Sequence, residues 1–143
     1  GSPRDATTTG LSAAPLPRLD GLTVLAVDDN QDALDILATT LAEAGAKVRV
    51  AASGAEALED LQHLPADIVI CDLAMPGMDG FDVLVLVREM DQLMHRATPV
   101  LALSAYASQD YRQRCLDAGF RGHIAKPIAP PDLIRAVAAI ART

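Results

Sequence analysis

The chain has 143 residues, half of them hydrophobic and only 3% aromatic, which suits one domain with a core of Leu, Val, Ile and Ala. A net charge of −7 argues against nucleic acid as a partner, because phosphate backbones bind clustered Lys and Arg, and no apolar run approaches the roughly 20 residues of a membrane span. No secretory pattern opens the chain, and Cys71 and Cys115 have neither a CxxC spacing nor a metal-like neighbourhood; a cytoplasmic domain with two small buried thiols and no membrane contact is expected.

In chain order, residues 1–21 are rich in Thr, Ser, Ala, Pro and Gly without an apolar period, and read as a linker or disordered lead-in to a domain over 22–143. Leu22 to Val27 is a short apolar run closed by Asp28 and Asp29, the pattern of a strand buried on both faces. A helix follows, with Leu34, Leu37, Leu41 and Ala44 at helical spacing and Gly45 as its stop. Lys47 to Ala51 is a weaker strand, suited to a sheet edge. Ser53 caps a second helix carrying Ala57, Leu58 and Leu61, which ends near Pro65. Ile68 to Cys71 is a third strand that ends in Asp72 and a Met-Pro-Gly-Met-Asp-Gly loop. Phe81, Leu84, Val85 and Val87 open a third helix, started by Asp79-Gly80 and running to about Met94. Val100 to Leu103 makes a fourth strand ending at Ser104, Ser108 to Ala118 a fourth helix stopped by Gly119, and Arg121 to Ala125 a short fifth strand. Pro131 opens the last helix, whose inner face carries Leu133, Ile134, Val137 and Ile140. Five strand–helix pairs predict an α/β fold, a doubly wound parallel sheet with helices on both faces.

In such a sheet, ligands bind beyond the carboxyl ends of the strands. The residues there are Asp28 and Asp29, Asp72, Ser104 and Lys126. Each has an ordinary reading: Asp28, Asp29 or Asn30 as a helix N-cap, Asp72 and Ser104 as turn or loop residues, and Lys126 as a solvated lysine before a proline. Caps and turns would scatter over both ends of the sheet, whereas these residues share one. Three carboxylates crowded together repel unless a cation joins them. A hard dication with oxygen ligands, above all Mg²⁺, meets that need and takes phosphate oxygens as well. Lys126 and Ser104 add donors. The set suits phosphoryl transfer, where positioning and charge neutralisation do the catalysis, with a carboxylate as the attacking group.

Four segments carry a family resemblance: Val27-Asp28-Asp29-Asn30, Asp72-Leu73-Ala74-Met75-Pro76-Gly77-Met78-Asp79-Gly80, Leu103-Ser104-Ala105 and Lys126-Pro127. In order and spacing they are similar to the signature segments of response-regulator receiver domains, over about Leu22 to Ala141. The resemblance implies a flavodoxin-like five-stranded sheet in the order 2-1-3-4-5. It implies a phosphoryl group accepted from a phosphohistidine onto Asp72. Mg²⁺ would be held by Asp29, Asp72 and the Ala74 carbonyl, with Asp28 acting through water. Ser104 would bind a phosphoryl oxygen and shift inward on activation, and Lys126 would pair with another oxygen across a Lys126–Pro127 bond that is often cis.

There are three departures from the usual pattern. Ser104 keeps the hydroxyl of the commoner Thr but not its methyl. His123 stands where an aromatic normally swings in behind the moving hydroxyl, and is either a switch residue or a half-exposed histidine without that role. Ala74 and Tyr106 flank the path of a hydrolytic water, and Ala74 has no polar group to orient it, so slow autodephosphorylation is expected. His63 and His95 read as solvated loop residues.

The lead-in Pro15 to Gly21 and the Leu103–Ala107 and Gly122–Pro127 variants resemble the C-terminal receivers of hybrid histidine kinases. The expected partner is accordingly a histidine kinase or histidine phosphotransfer domain. The family's usual dimer face is the fourth helix, fifth strand and fifth helix. Alternatives are a free-standing regulator, a Mg²⁺-dependent aspartyl-phosphate phosphatase, or an interaction module that is never phosphorylated. A phosphatase would favour a second Asp at position 74, which is Ala; a silent module would have lost an acidic residue or the lysine.

Overall fold

A computed structural model describes residues 15–142; most of the expected lead-in, residues 1–14, lies outside the described residues. The strands are β1 (Thr23–Val27), β2 (Lys47–Ala51), β3 (Ile68–Asp72), β4 (Val100–Ser104) and β5 (Gly122–Ala125). Between and after them come α1 (Gln31–Glu43), α2 (Gly54–His63), α3 (Gly80–Met94), α4 (Gln109–Ala118) and α5 (Pro130–Ala141). The sheet is parallel throughout, in the expected order β2-β1-β3-β4-β5.

Alternation along the strands builds two cores. Val24, Ala26, Ile68, Ile70, Leu101 and Leu103 face α1 and α5. Leu25, Val27, Val69, Cys71, Val100 and Ala102 face the other way, with Ala57, Leu61, Val83, Leu84, Val87 and Cys115. Each fully buried Leu, Ile or Val contributes about 1.5–3 kcal/mol relative to exposure, so aliphatic side chains suffice where aromatics are scarce. Edge strand β2 is only partly covered, and its Arg49 is bound to Asp60 at 2.8 Å.

Helix starts are closed by side chains. Asn30 accepts the Ala33 N–H at 2.9 Å, Ser53 that of Glu56 and Ser108 that of Tyr111; Asp79 and Asp82 form a reciprocal capping box. Of the three candidates for the cap of α1, Asn30 takes the role. Asp28 and Asp29 are left to other work.

Two sequence expectations need correction. Leu19, placed in the lead-in, is fully buried, and its N–H donates to Ala44 O at 2.8 Å. A turn closed by Leu22 N–H to Leu19 O, with Gly21 at φ 84, folds the segment back so that Leu19 joins the α1–α5 core. The packed part of the chain thus begins before Leu22. Val85, placed on the inner face of α3, is 56% exposed. Burial follows Gly80, Val83, Leu84, Val87 and Asp91, a three-and-four spacing that turns Val85 outward.

Candidate functional site

The strand order reverses between β1 and β3, and a crevice forms at such a reversal. Asp28 follows β1 and Asp72 ends β3; both side chains are buried. Asp28, Asp29 and Asp72 each bring a carboxylate oxygen within 4.8 Å of the others. Lys126, just past β5, reaches across with its Nζ 3.1 Å from Asp28 Oδ2 and 3.3 Å from Asp72 Oδ1. Its own N–H donates to Ser104 O at 2.7 Å, which ties the lysine to the end of β4. The Lys126–Pro127 bond is cis.

The three carboxylates differ in what they already hold. Asp28 Oδ1 accepts the Asn30 N–H at 2.9 Å and its Oδ2 accepts from Lys126. Asp29 is exposed and makes no hydrogen bond or ion pair among the described residues. Burial, and then the Asp28 charge, raises the Asp72 carboxyl above its ordinary pKa, against the pull of Lys126 and the Ala74 N–H. Burial works against the Lys126 ammonium too, but its hydrogen bond to Asp28 and the charges of Asp72 and Asp28 leave its pKa raised. One ammonium therefore serves two buried carboxylates, while a third stands at the rim without an ionic partner among the described residues. The set is short of positive charge and offers hard oxygen donors, which fits a magnesium ion.

The loop after β3 is held against the acceptor. Gly80 N–H donates to Leu73 O at 3.1 Å, and a Cβ on Gly80 would lie 2.9 Å from the Asp72 carbonyl oxygen. Ala74 is exposed beside the cluster. Ser104 is buried, and its Oγ accepts the Tyr106 N–H at 2.9 Å. His123 is not half-exposed: only 6% of it reaches solvent, because it shares the sheet face of Ala102, its partner across the β4–β5 pair. Burial and then the Arg112 charge lower its pKa, which favours the neutral ring. His63 and His95 lie on the surface, as expected. Sequence reasoning assigned no role to Tyr111, which stands on α4 against His123, ring centroids 5.9 Å apart. A tyrosine seven residues beyond Ser104, in a chain with so few aromatics, was the available signal.

The sequence profile of the response regulator receiver domain matches residues 24–138. The chain belongs to that family. A 14.6 kDa protein of Leptolyngbya boryana is 40% identical over 114 residues, 80% of this chain and 86% of that one. The signal transduction histidine-protein kinase BarA of Escherichia coli is 34% identical over 107 residues, 75% of this chain but only 11% of the kinase. Among solved structures, the CheX–CheY–BeF3–Mg²⁺ complex of Borrelia burgdorferi matches with a TM-score of 0.74 and 29% identity, covering 84% of this chain and 90% of that one. The receiver domain described here therefore belongs to two-component signalling, a family that binds Mg²⁺ at an acidic pocket such as the cluster of Asp28, Asp29 and Asp72. No helix among its described residues is long and apolar enough to cross a membrane.

Proposed function

We propose that the domain accepts a phosphoryl group from a phosphohistidine onto Asp72. The observation that carries this reading is the meeting of Asp72, Asp28 and Asp29 within 4.8 Å, with Lys126 3.3 Å from Asp72. An Asp72 oxygen attacks phosphorus, an O–P bond forms as the P–N bond breaks, and the departing imidazole takes up a proton. Lys126 neutralises charge on a phosphoryl oxygen and Ser104 donates to another. Asp29, Asp72 and the Ala74 carbonyl would hold Mg²⁺, with Asp28 engaged through water because both its oxygens already have partners. The ion supplies positive charge to the transferring group. The BeF3 and Mg²⁺ named for the Borrelia complex support the same chemistry. Intact mass after acetyl phosphate treatment with Mg²⁺ tests the reading, and an unmodified chain would end it.

The donor would be a histidine kinase or histidine phosphotransfer domain, approaching over α1. A cleft of about 270 Å³ beside Asp28 and Lys126 is lined by Ile36, Leu37, Pro127, Ile128 and Leu133, and Ile36 is 63% exposed. It offers apolar surface bordering Asp28 and Lys126 of the acidic cluster. Burying an isoleucine yields about 1.5–3 kcal/mol, so Ile36→Asp should slow transfer from a phosphohistidine protein ~10-fold or more. Labelling by acetyl phosphate, which needs no docking, should be unchanged. Equal losses with both donors would remove α1 from the docking surface.

Ala74 has no polar side chain to orient a hydrolytic water, and Tyr106 beside it is 64% exposed. The phosphoryl group on Asp72 should last minutes or longer in Mg²⁺, followed by intact mass over time; a lifetime of seconds would refute this. The kinase relative favours a C-terminal receiver of a hybrid histidine kinase acting in the cytoplasm. The Leptolyngbya protein, 86% covered, favours a free-standing regulator. A kinase core upstream in the same reading frame decides for the first, and its absence for the second.

A further inference from the structure

Residues Leu16 to Asp20 precede β1 and lie outside residues 24–138, which the receiver profile matches, yet they are built into the fold. Arg18 pairs with Asp20 at 3.1 Å, and its Nη1 donates to Glu43 O, at the end of α1, at 3.2 Å. Arg142, just past α5, donates from Nη2 to Asp20 O at 3.1 Å. Leu19 is fully buried in the core that α1 and α5 share. Gly45 leaves room for this strap: its φ is 108, and a Cβ there would run into Asp20 Oδ1. Leu16 and Pro17 are thereby fixed as one wall of a cleft of about 390 Å³, lined also by Thr40, Ala44, Pro130 and Ile134. Thr40 and Pro130 also line the cleft of about 270 Å³ beside Asp28 and Lys126, so the two clefts meet there and run as one groove between α1 and α5. On α1 the groove follows Ala33, Leu37, Thr40 and Ala44, one face of the helix over about 16 Å of its axis.

We propose that this strap is the far wall of the donor's docking groove, and that an amphipathic helix of the phosphohistidine protein lies along α1 from Lys126 to Leu16. The inference rests on Asp72 receiving its phosphoryl group from such a protein. Position names the occupant: to bring its histidine to Asp72 the donor must cover the Asp28 and Lys126 end, and the groove leads away from there. The residues lining that end fall well short of the roughly 20–30 a side that a specific complex uses. The strap adds apolar surface at Leu16 and Pro17. Unlike a free tail, it is held in place before the partner arrives, which lowers the cost of ordering it. A helix with an apolar stripe of about three turns matches the length of the groove. Because the strap lies outside the matched residues, it lets this chain choose among donors by contacts that the shared receiver pattern does not encode.

Leu16 is 39% exposed, so Leu16→Asp changes the wall without opening the core. The donor is the histidine-protein kinase BarA of Escherichia coli, charged with ATP, and transfer to this chain is followed by intact mass. Leu16→Asp should raise the half-saturating chain concentration roughly 5-fold. The maximal rate should not change, the mark of lost binding rather than lost chemistry. Leu16→Met should behave as the native chain. So should Leu93→Asp, at a residue 83% exposed on α3, which packs on the opposite face of the sheet. Labelling by acetyl phosphate and the melting temperature should stay close to native in all three. Slower transfer to Ile36→Asp but not to Leu16→Asp would overturn the strap's role and leave docking over α1 standing. If neither slows transfer, docking over α1 falls, and this inference with it. An equal loss with acetyl phosphate would make Leu16 a residue of the fold alone and overturn the proposal. So would acetyl phosphate labelling of a native chain that takes nothing from BarA. A native chain that is dimeric where Leu16→Asp is monomeric would give the groove to a second copy instead.

Discussion

Asp72→Asn should incorporate no phosphoryl group from acetyl phosphate under conditions that modify the native chain, with intact-mass spectrometry as the measure. The amide keeps the size of the carboxyl but lacks the anionic oxygen that must attack phosphorus, so the expected effect is complete loss. Modification of the variant at the native rate would move the acceptor elsewhere. The same substitution has a stability consequence of known sign. Burial and Asp28 raise the Asp72 carboxyl above its ordinary value of 3.8, so between 3.8 and the raised value the folded chain keeps a proton that the unfolded chain has lost. The contribution of Asp72 to the stability of the native chain in chelator therefore falls as pH rises through that window, and the loss is complete above it. Asp72→Asn has no such proton to lose, and Lys126 keeps its bond to Asp28. In chelator its melting temperature should be the higher of the two at neutral pH, with the gap closing toward acid. A variant that melts below the native chain at pH 7 would show that the Lys126–Asp72 pair outweighs the burial of its carboxylate.

Much of this architecture was legible because parallel strands covered on both faces must be apolar at every position. Ile68 to Cys71 and Val100 to Leu103 can hardly be anything else. The acidic residues were legible because a charge ending such a run is placed at the sheet's rim by the strand itself. What escaped depends on long-range packing. Leu19 is one of two leucines in a proline-containing stretch without a strand or helix period, and only the groove between α1 and α5 gives it a partner. The inner face of α3 was misjudged at Val85 because five apolar residues in a row, Val83 to Val87, leave the helical phase ambiguous until Gly80 and Asp91 are seen buried. The burial of His123 follows from a β4 neighbour as small as Ala102, and the meeting of Tyr111 with His123 joins a helix to a strand. No local pattern encodes either.

Asp29→Ala and Asn30→Ala, neighbours in sequence, should fail in opposite ways. Asn30 caps α1 through the Ala33 N–H, and losing such a cap costs about 1 kcal/mol, or ~3–5 °C in melting temperature for a domain of this size. Its Mg²⁺ titration should match that of the native chain, since its side chain is engaged with the helix. Asp29 is exposed and holds nothing, so its removal should leave the melting temperature in chelator within the ~0.5 kcal/mol typical of surface changes. Its cost should appear only with the ion. Replacing an outer partner of a metal ligand already weakens binding ~10–100-fold, and a direct carboxylate ligand should matter at least as much. The rise of melting temperature with Mg²⁺ measures this without any probe, because a ligand that binds only the folded chain stabilises it by RT ln(1 + L/Kd) at free ligand concentration L. The native and Asn30→Ala chains should rise in parallel from different starting points, and Asp29→Ala should rise only at Mg²⁺ concentrations at least ~10-fold higher. Parallel curves for all three would take Asp29 out of the ligand set and leave Asp28 and Asp72 to hold the ion between them.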